Sequence, residues 1–109
     1  IEVVNPKQVF DKALVNENNK EIVMFLPNDI PFVVSGNVSN ETDEVYLTLS
    51  SYEAIPANKL RDSKLLLSNA GFKYRAANDA YINGNIEICF IEDSEGYVSI
   101  EMVLPLGSY

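Results

Sequence analysis

The tightest constraint in this chain is a pair of alternating runs near its C-terminal end. Ile86, Ile88 and Phe90 alternate with Glu87 and Cys89, and Val98, Ile100, Met102 and Leu104 alternate with Ser99, Glu101 and Val103. Side chains of a strand point alternately to opposite faces, so each run marks a strand with one face meant for burial. Asn83-Gly84 ahead of the first run is a strong short-range hairpin signal, and Glu92 to Gly96 supply the turn between the two. Phe72, Tyr74 and Ala76 alternate in the same way with Lys73 and Arg75, followed by a break at 77–79. A β-meander is therefore expected over the last third, with Tyr74 sharing a buried face with Phe72 and Ala76.

Upstream, Asn5 and Pro6 suit the N-cap and first position of a helix over 6–15, with Gln8 completing a capping box and Val4 positioned to staple onto Val9. Val9, Phe10, Ala13 and Leu14 form its apolar stripe. Residues 21–26 and 32–38 are β-branched and aromatic and read as two strands, and Val45, Leu47 and Leu49 alternate as a third. Pro56 and Gly71 bracket a second helix over 57–69, with Leu60, Leu66 and Leu67 facing inward. The fold class expected is α+β. Two helices pack on a mainly antiparallel sheet of about six strands in the order αβββαβββ. The last two strands of each half lie about 53 residues apart, which allows an internal duplication.

A chain of 109 residues has room for one domain with one core. Its longest apolar run, Ile22 to Leu26, is far below the roughly 20 residues of a membrane span, so no membrane is expected as a partner. A single cysteine, Cys89, makes no internal disulfide, and a cytoplasmic location is the expectation. Histidine is absent, which removes the commonest general base and metal ligand. The glycines are scattered singly, with neither a P-loop nor a dinucleotide fingerprint. No catalytic residue, metal ligand or cofactor is nominated, and the chain is read as non-enzymatic.

The formal net charge of −8 opposes direct nucleic-acid binding. The bases Lys59, Arg61, Lys64, Lys73 and Arg75 nevertheless cluster with a single acid, Asp62, among them. The interleaving of Lys73, Tyr74 and Arg75 has the composition of a stacking platform, but a core Tyr74 leaves only its basic neighbours in water. Two acidic loops stand at equivalent places in the two halves, Glu41, Asp43 and Glu44 in one and Glu92, Asp93 and Glu95 in the other. With Tyr46 and Tyr97 they form the candidate protein-binding set, and Tyr81 is a further aromatic expected on an outer face. Asn37 and Asn40 each open an N-glycosylation acceptor pattern, as chance allows among 12 asparagines.

No motif identifies a family. The order of helix, three strands, helix, strand and hairpin is similar in outline to the type III secretion chaperone class, whose small acidic domains dimerise and hold a partner chain. That resemblance covers the order of elements and not residues. Together these readings favour a protein–protein interaction module, either homodimeric or bound to another protein. The alternative is an acidic inhibitor or immunity-type protein that antagonises a nucleic-acid enzyme or toxin through its acidic loops.

Overall fold

The computed structural model of the chain describes residues 3–4, 22, 24–27 and 30–105. The helix expected over 6–15, with its staple onto Val9, lies outside the described residues. Among the described residues seven strands form one sheet: β1 (Val3–Val4), β2 (Phe32–Ser39), β3 (Glu44–Ser51), β4 (Lys73–Arg75), β5 (Ala80–Asn83), β6 (Ile86–Glu92) and β7 (Val98–Pro105). The helix α1 (Ala57–Asn69) sits between β3 and β4 in the chain. The spatial order is β1-β2-β3-β7-β6-β5-β4, and every neighbouring pair is antiparallel. A Cα radius of gyration of 13.2 Å is that of one compact domain of roughly 100 residues.

The alternation sets which face is buried. Val45, Leu47 and Leu49 of β3 lie directly opposite Leu104, Met102 and Ile100 of β7, and all six are buried. Ile88 and Phe90 of β6 extend these rows, and Phe32 joins the same core from β2. Burying one such aliphatic side chain is worth about 2 kcal/mol, so this inner face holds the sheet in register.

Helix α1 begins after Pro56, as expected, and ends in a Schellman motif. The Phe72 N–H donates to Leu67 O at 3.0 Å and the Gly71 N–H to Ser68 O at 3.2 Å, with Gly71 at φ 99°. The helix buries Leu60, Ser63 and Leu67, a spacing of three and four that keeps them on one stripe. Leu66, expected inward, is instead 44% exposed. Of three consecutive leucines only one can occupy that stripe, and Leu67 does so.

Three further expectations are corrected. Residues 22, 24 and 25 lie in a 3₁₀ turn rather than a strand. Ile22 and Leu26 are buried while Met24 is 71% exposed, which is helical spacing and not alternation. Four strands follow α1 rather than three, because 73–83 folds back on itself as a hairpin of β4 and β5. Tyr74 is 54% exposed, since β4 is the sheet's outermost strand. The Asn83-Gly84 signal does mark a hairpin. Asn83 pairs with Ile86, and Gly84 takes a φ of 59° at the first loop position.

The hairpins β2–β3 and β6–β7 pair in equivalent register. Phe32 and Val34 of β2 correspond to Ile86 and Ile88 of β6, 54 residues on, and Val45, Leu47 and Leu49 of β3 to Val98, Ile100 and Met102 of β7, 53 residues on. The two hairpins meet along β3 and β7.

Candidate functional site

The acidic candidates lie in two turns. Glu41 and Asp43 occupy the β2–β3 turn and Glu44 opens β3, with Asp43 in the left-handed region at φ 54°. Glu92 closes β6, and Asp93 and Glu95 lie in the β6–β7 turn. Because β3 and β7 are antiparallel, Glu44 faces Pro105, the far end of the strand that Val98 begins. Seven residues at about 3.3 Å each separate the two turns by roughly 23 Å. The structure thus places the two acidic groups at opposite ends of the sheet.

Several of these acids have structural work nearby. The Asp93 carboxylate accepts the backbone N–H of Glu95 at 2.8 Å and of Tyr97 at 3.0 Å from one oxygen, while the Asp93 N–H donates to Tyr97 O at 2.9 Å. This is a side-chain-closed turn of the kind Asp favours. Asp93→Ala is expected to cost about 1–2 kcal/mol, since two amides lose a charged acceptor, and thermal unfolding compared with Glu95→Ala measures it. Glu92 stands 3.7 Å from Lys64 Nζ, which also lies 5.8 Å from the Phe90 ring centroid. Glu44 accepts the Tyr46 hydroxyl at 2.9 Å. Among the described residues no group of three or more acids or cysteines converges as a metal site would.

The two tyrosines of the candidate set are both exposed, Tyr46 on the outer sheet face and Tyr97 in the β6–β7 turn. They too fall toward opposite ends of the sheet. Tyr81 is not an outer-face residue: it pairs with Ile88, packs against the core, and meets Tyr74 at 5.2 Å and Phe90 at 6.2 Å between ring centroids. Asn37 and Asn40 are exposed, one in β2 and one in the turn after it.

Sequence reasoning missed the surface on which Tyr46 stands. On the face away from α1, the register aligns Tyr46, Val103, Glu87 and Ile82 in one row and Thr48, Glu101, Cys89 and Ala80 in the next. A shallow groove of about 340 Å³ runs between them. Ile91, 50% exposed, continues this face on β6. The centre is apolar and hydroxylic, and Glu44, Glu87 and Glu101 give it an acidic character. At one end the β4–β5 turn folds over the sheet, where Asn78 Nδ2 donates to Glu87 Oε1 at 2.7 Å. The available signal was the polar phase of the alternating strands, where valine, cysteine and tyrosine stand among the expected polar residues.

Cys89 lies in this groove as a free thiol. Partial burial raises its pKa, helped by the negative charges of Glu87, Glu101 and Asp79. The thiolate is the reactive form, so these surroundings oppose nucleophilic chemistry. Labelling by a disulfide reagent at pH 8 is expected to run several-fold slower than with a free cysteine peptide, and its rate to go on rising with pH where that of the peptide has levelled off. Comparison with protein-family models, with curated proteins and with solved structures returned no match. No helix among the described residues is long and apolar enough to cross a membrane.

Proposed function

We propose that this chain is a non-enzymatic protein-binding module whose contact surface is the outer face of the sheet, centred on Tyr46 and Val103. The observation that carries this reading is the composition of that face. Tyr46, Val103, Ile82 and Ile91 stand on the side of the sheet opposite α1, and the Tyr46 ring is held by its bond to Glu44. A fixed tyrosine offers a large contact area at small entropic cost, and an apolar centre with a polar rim is the usual anatomy of an interface.

The partner this face fits is another protein with an apolar centre and basic residues around it, because Glu44, Glu87 and Glu101 require compensation. A second copy docked through the same face would set these carboxylates against their own equivalents. A hetero-partner is therefore favoured over the homodimer, and light scattering on the purified chain distinguishes them. An acidic antagonist working through both loops fits less well: the loops are roughly 23 Å apart by strand rise, and the Asp93 carboxylate is already used within its own turn. Cytoplasmic location remains part of this proposal, as the compartment in which a free thiol persists.

The test is capture from a host lysate with the wild-type chain and with a Tyr46→Ala, Val103→Thr variant, both shown to melt cooperatively. A stoichiometric partner held by the wild type through about 0.5 M salt and lost by the variant supports an apolar interface here. Equal capture by both moves the interface elsewhere, and the absence of any stoichiometric partner rejects the module reading.

A further inference from the structure

The outermost strand β4 carries the only residues of the basic cluster that lie in a strand. Lys73, Tyr74 and Arg75 are all exposed, and among the described residues β4 pairs on one side alone, with β5. Alternate residues of such a strand turn both their N–H and C=O groups away from the sheet, ready for another strand. A cleft of about 530 Å³ adjoins it, lined by Lys73, Tyr74, Arg75, Asn83 and the backbone of Gly71 and Gly84. Nothing lies within 4 Å of where a Cβ at Gly84 would stand, so this side of the cleft is open.

Period 2 puts Lys73 and Arg75 on one face of β4 and Tyr74 on the other. Tyr74 is fixed rather than free. Its hydroxyl donates to Asp79 Oδ1 at 2.5 Å, and its ring packs 5.2 Å from that of Tyr81. Neither Lys73 nor Arg75 forms an ion pair among the described residues, in a chain whose net charge is −8. Two open cations flanking a held aromatic, on a strand with unpaired backbone, match one chemistry. We infer that β4 accepts an extended acidic segment of a partner protein as an additional strand, its carboxylates facing Lys73 and Arg75 across the new pairing.

Charge also decides against a second copy of this chain. A two-fold pairing of β4 with itself about Tyr74 sets Lys73 opposite Arg75 of the copy, and like charges directly opposite are destabilising. Short, cationic edges also serve simply to repel other strands. That role accounts for the two cations but not for the exposed Tyr74, which Asp79 and Tyr81 hold on the opposite face of the strand. Experiment separates the two. Lys73 and Arg75 end the two outer-face rows, opposite Ile82 and Ala80, but β4 lies four strands from β3, about 19 Å at the usual strand spacing, so failure here leaves the reading centred on Tyr46 untouched.

The probe is a fluorescein-labelled ten-residue peptide alternating glutamate and valine, followed by fluorescence anisotropy at low salt. The expected result is saturable binding that slows hydrogen exchange of the 73–75 amides. Binding should weaken at least about tenfold in a Lys73→Glu, Arg75→Glu variant, and Tyr46→Ala should leave it unchanged. The reversed variant should in turn prefer the peptide with lysine in place of glutamate. Because both positions are exposed on an edge, the variant should melt with the wild type. No binding at millimolar peptide, equal binding by the reversed variant, or no added protection at 73–75 each overturns the inference. So does binding of a ten-nucleotide single-stranded DNA in preference to the peptide, which would make the edge a nucleic-acid contact.

Discussion

Replacing Leu49 by alanine is expected to remove about 3–4 kcal/mol of stability. Leu49 is fully buried at the centre of the sheet, with Val34 opposite it on β2 and Ile100 opposite on β7. Truncation there loses the transfer free energy of three carbons and leaves a cavity between two paired strands, whose hydrogen bonds resist collapse. For a domain of this size such a loss lowers the melting temperature by roughly 12–25 °C, a large share of a total stability of about 5–15 kcal/mol. Urea unfolding of the two proteins measures it. A loss below about 1 kcal/mol would mean that the β3–β7 seam is not the centre of the core.

Gly36→Ala is expected to destabilise by about 2 kcal/mol, although the position is exposed on β2. A Cβ there would stand 2.8 Å from Leu47 Cδ2 and 2.8 Å from the Tyr46 carbonyl oxygen. The leucine methyl can rotate away at some cost. The carbonyl belongs to the backbone of the neighbouring strand, so relief requires β2 and β3 to separate locally. Elsewhere, exchanging a compatible glycine for alanine stabilises by about 0.4–1 kcal/mol by restricting the unfolded chain, so the sign is diagnostic. Ser35→Ala, one residue away, serves as control and should stay within about 0.5 kcal/mol of the wild type by denaturant titration. A neutral or stabilising Gly36→Ala would show that the two strands yield at this point.

What could be read without coordinates follows from how each segment is buried. β3, β6 and β7 bury one face only, so their alternation was visible and their ends were placed closely. Pro56 and Gly71 bounded α1 for reasons of backbone geometry that hold in any context. Legibility failed where the pattern lacks polar residues to set its phase. Ile22 to Leu26 is apolar throughout, and only the burial of Ile22 and Leu26 against an exposed Met24 separates a turn of helix from a strand. The three leucines of α1 are ambiguous in the same way, and buried Ser63 was the overlooked marker of the stripe.

Position within the sheet was the other blind spot. The pattern around Tyr74 is that of a half-buried strand, but an outermost strand has too little above it to bury the inward ring. Likewise the acidic loops occupy matching places in the two halves, which invited a joint site. Their separation depends on β3 and β7 running antiparallel, a long-range pairing with no local signature. For the same reason the outer-face row of Tyr46, Val103, Glu87 and Ile82 was invisible, since four different strands contribute to it.

The seam between β3 and β7 also sets the order in which this chain can assemble. The β2–β3, β4–β5, β5–β6 and β6–β7 pairings close short turns, whereas Ser50 meets Ser99 and Glu44 meets Pro105 only across about half the chain. Hairpins form in microseconds, but bringing such distant segments together has an entropic cost that no local contact offsets beforehand. Until the seam closes, Val45, Leu47 and Leu49 in one half and Ile100, Met102 and Leu104 in the other lie on strands that are paired on one side and open on the other. Joining the halves is then the slow event of folding, and the interval before it is when the nascent chain is most exposed to aggregation.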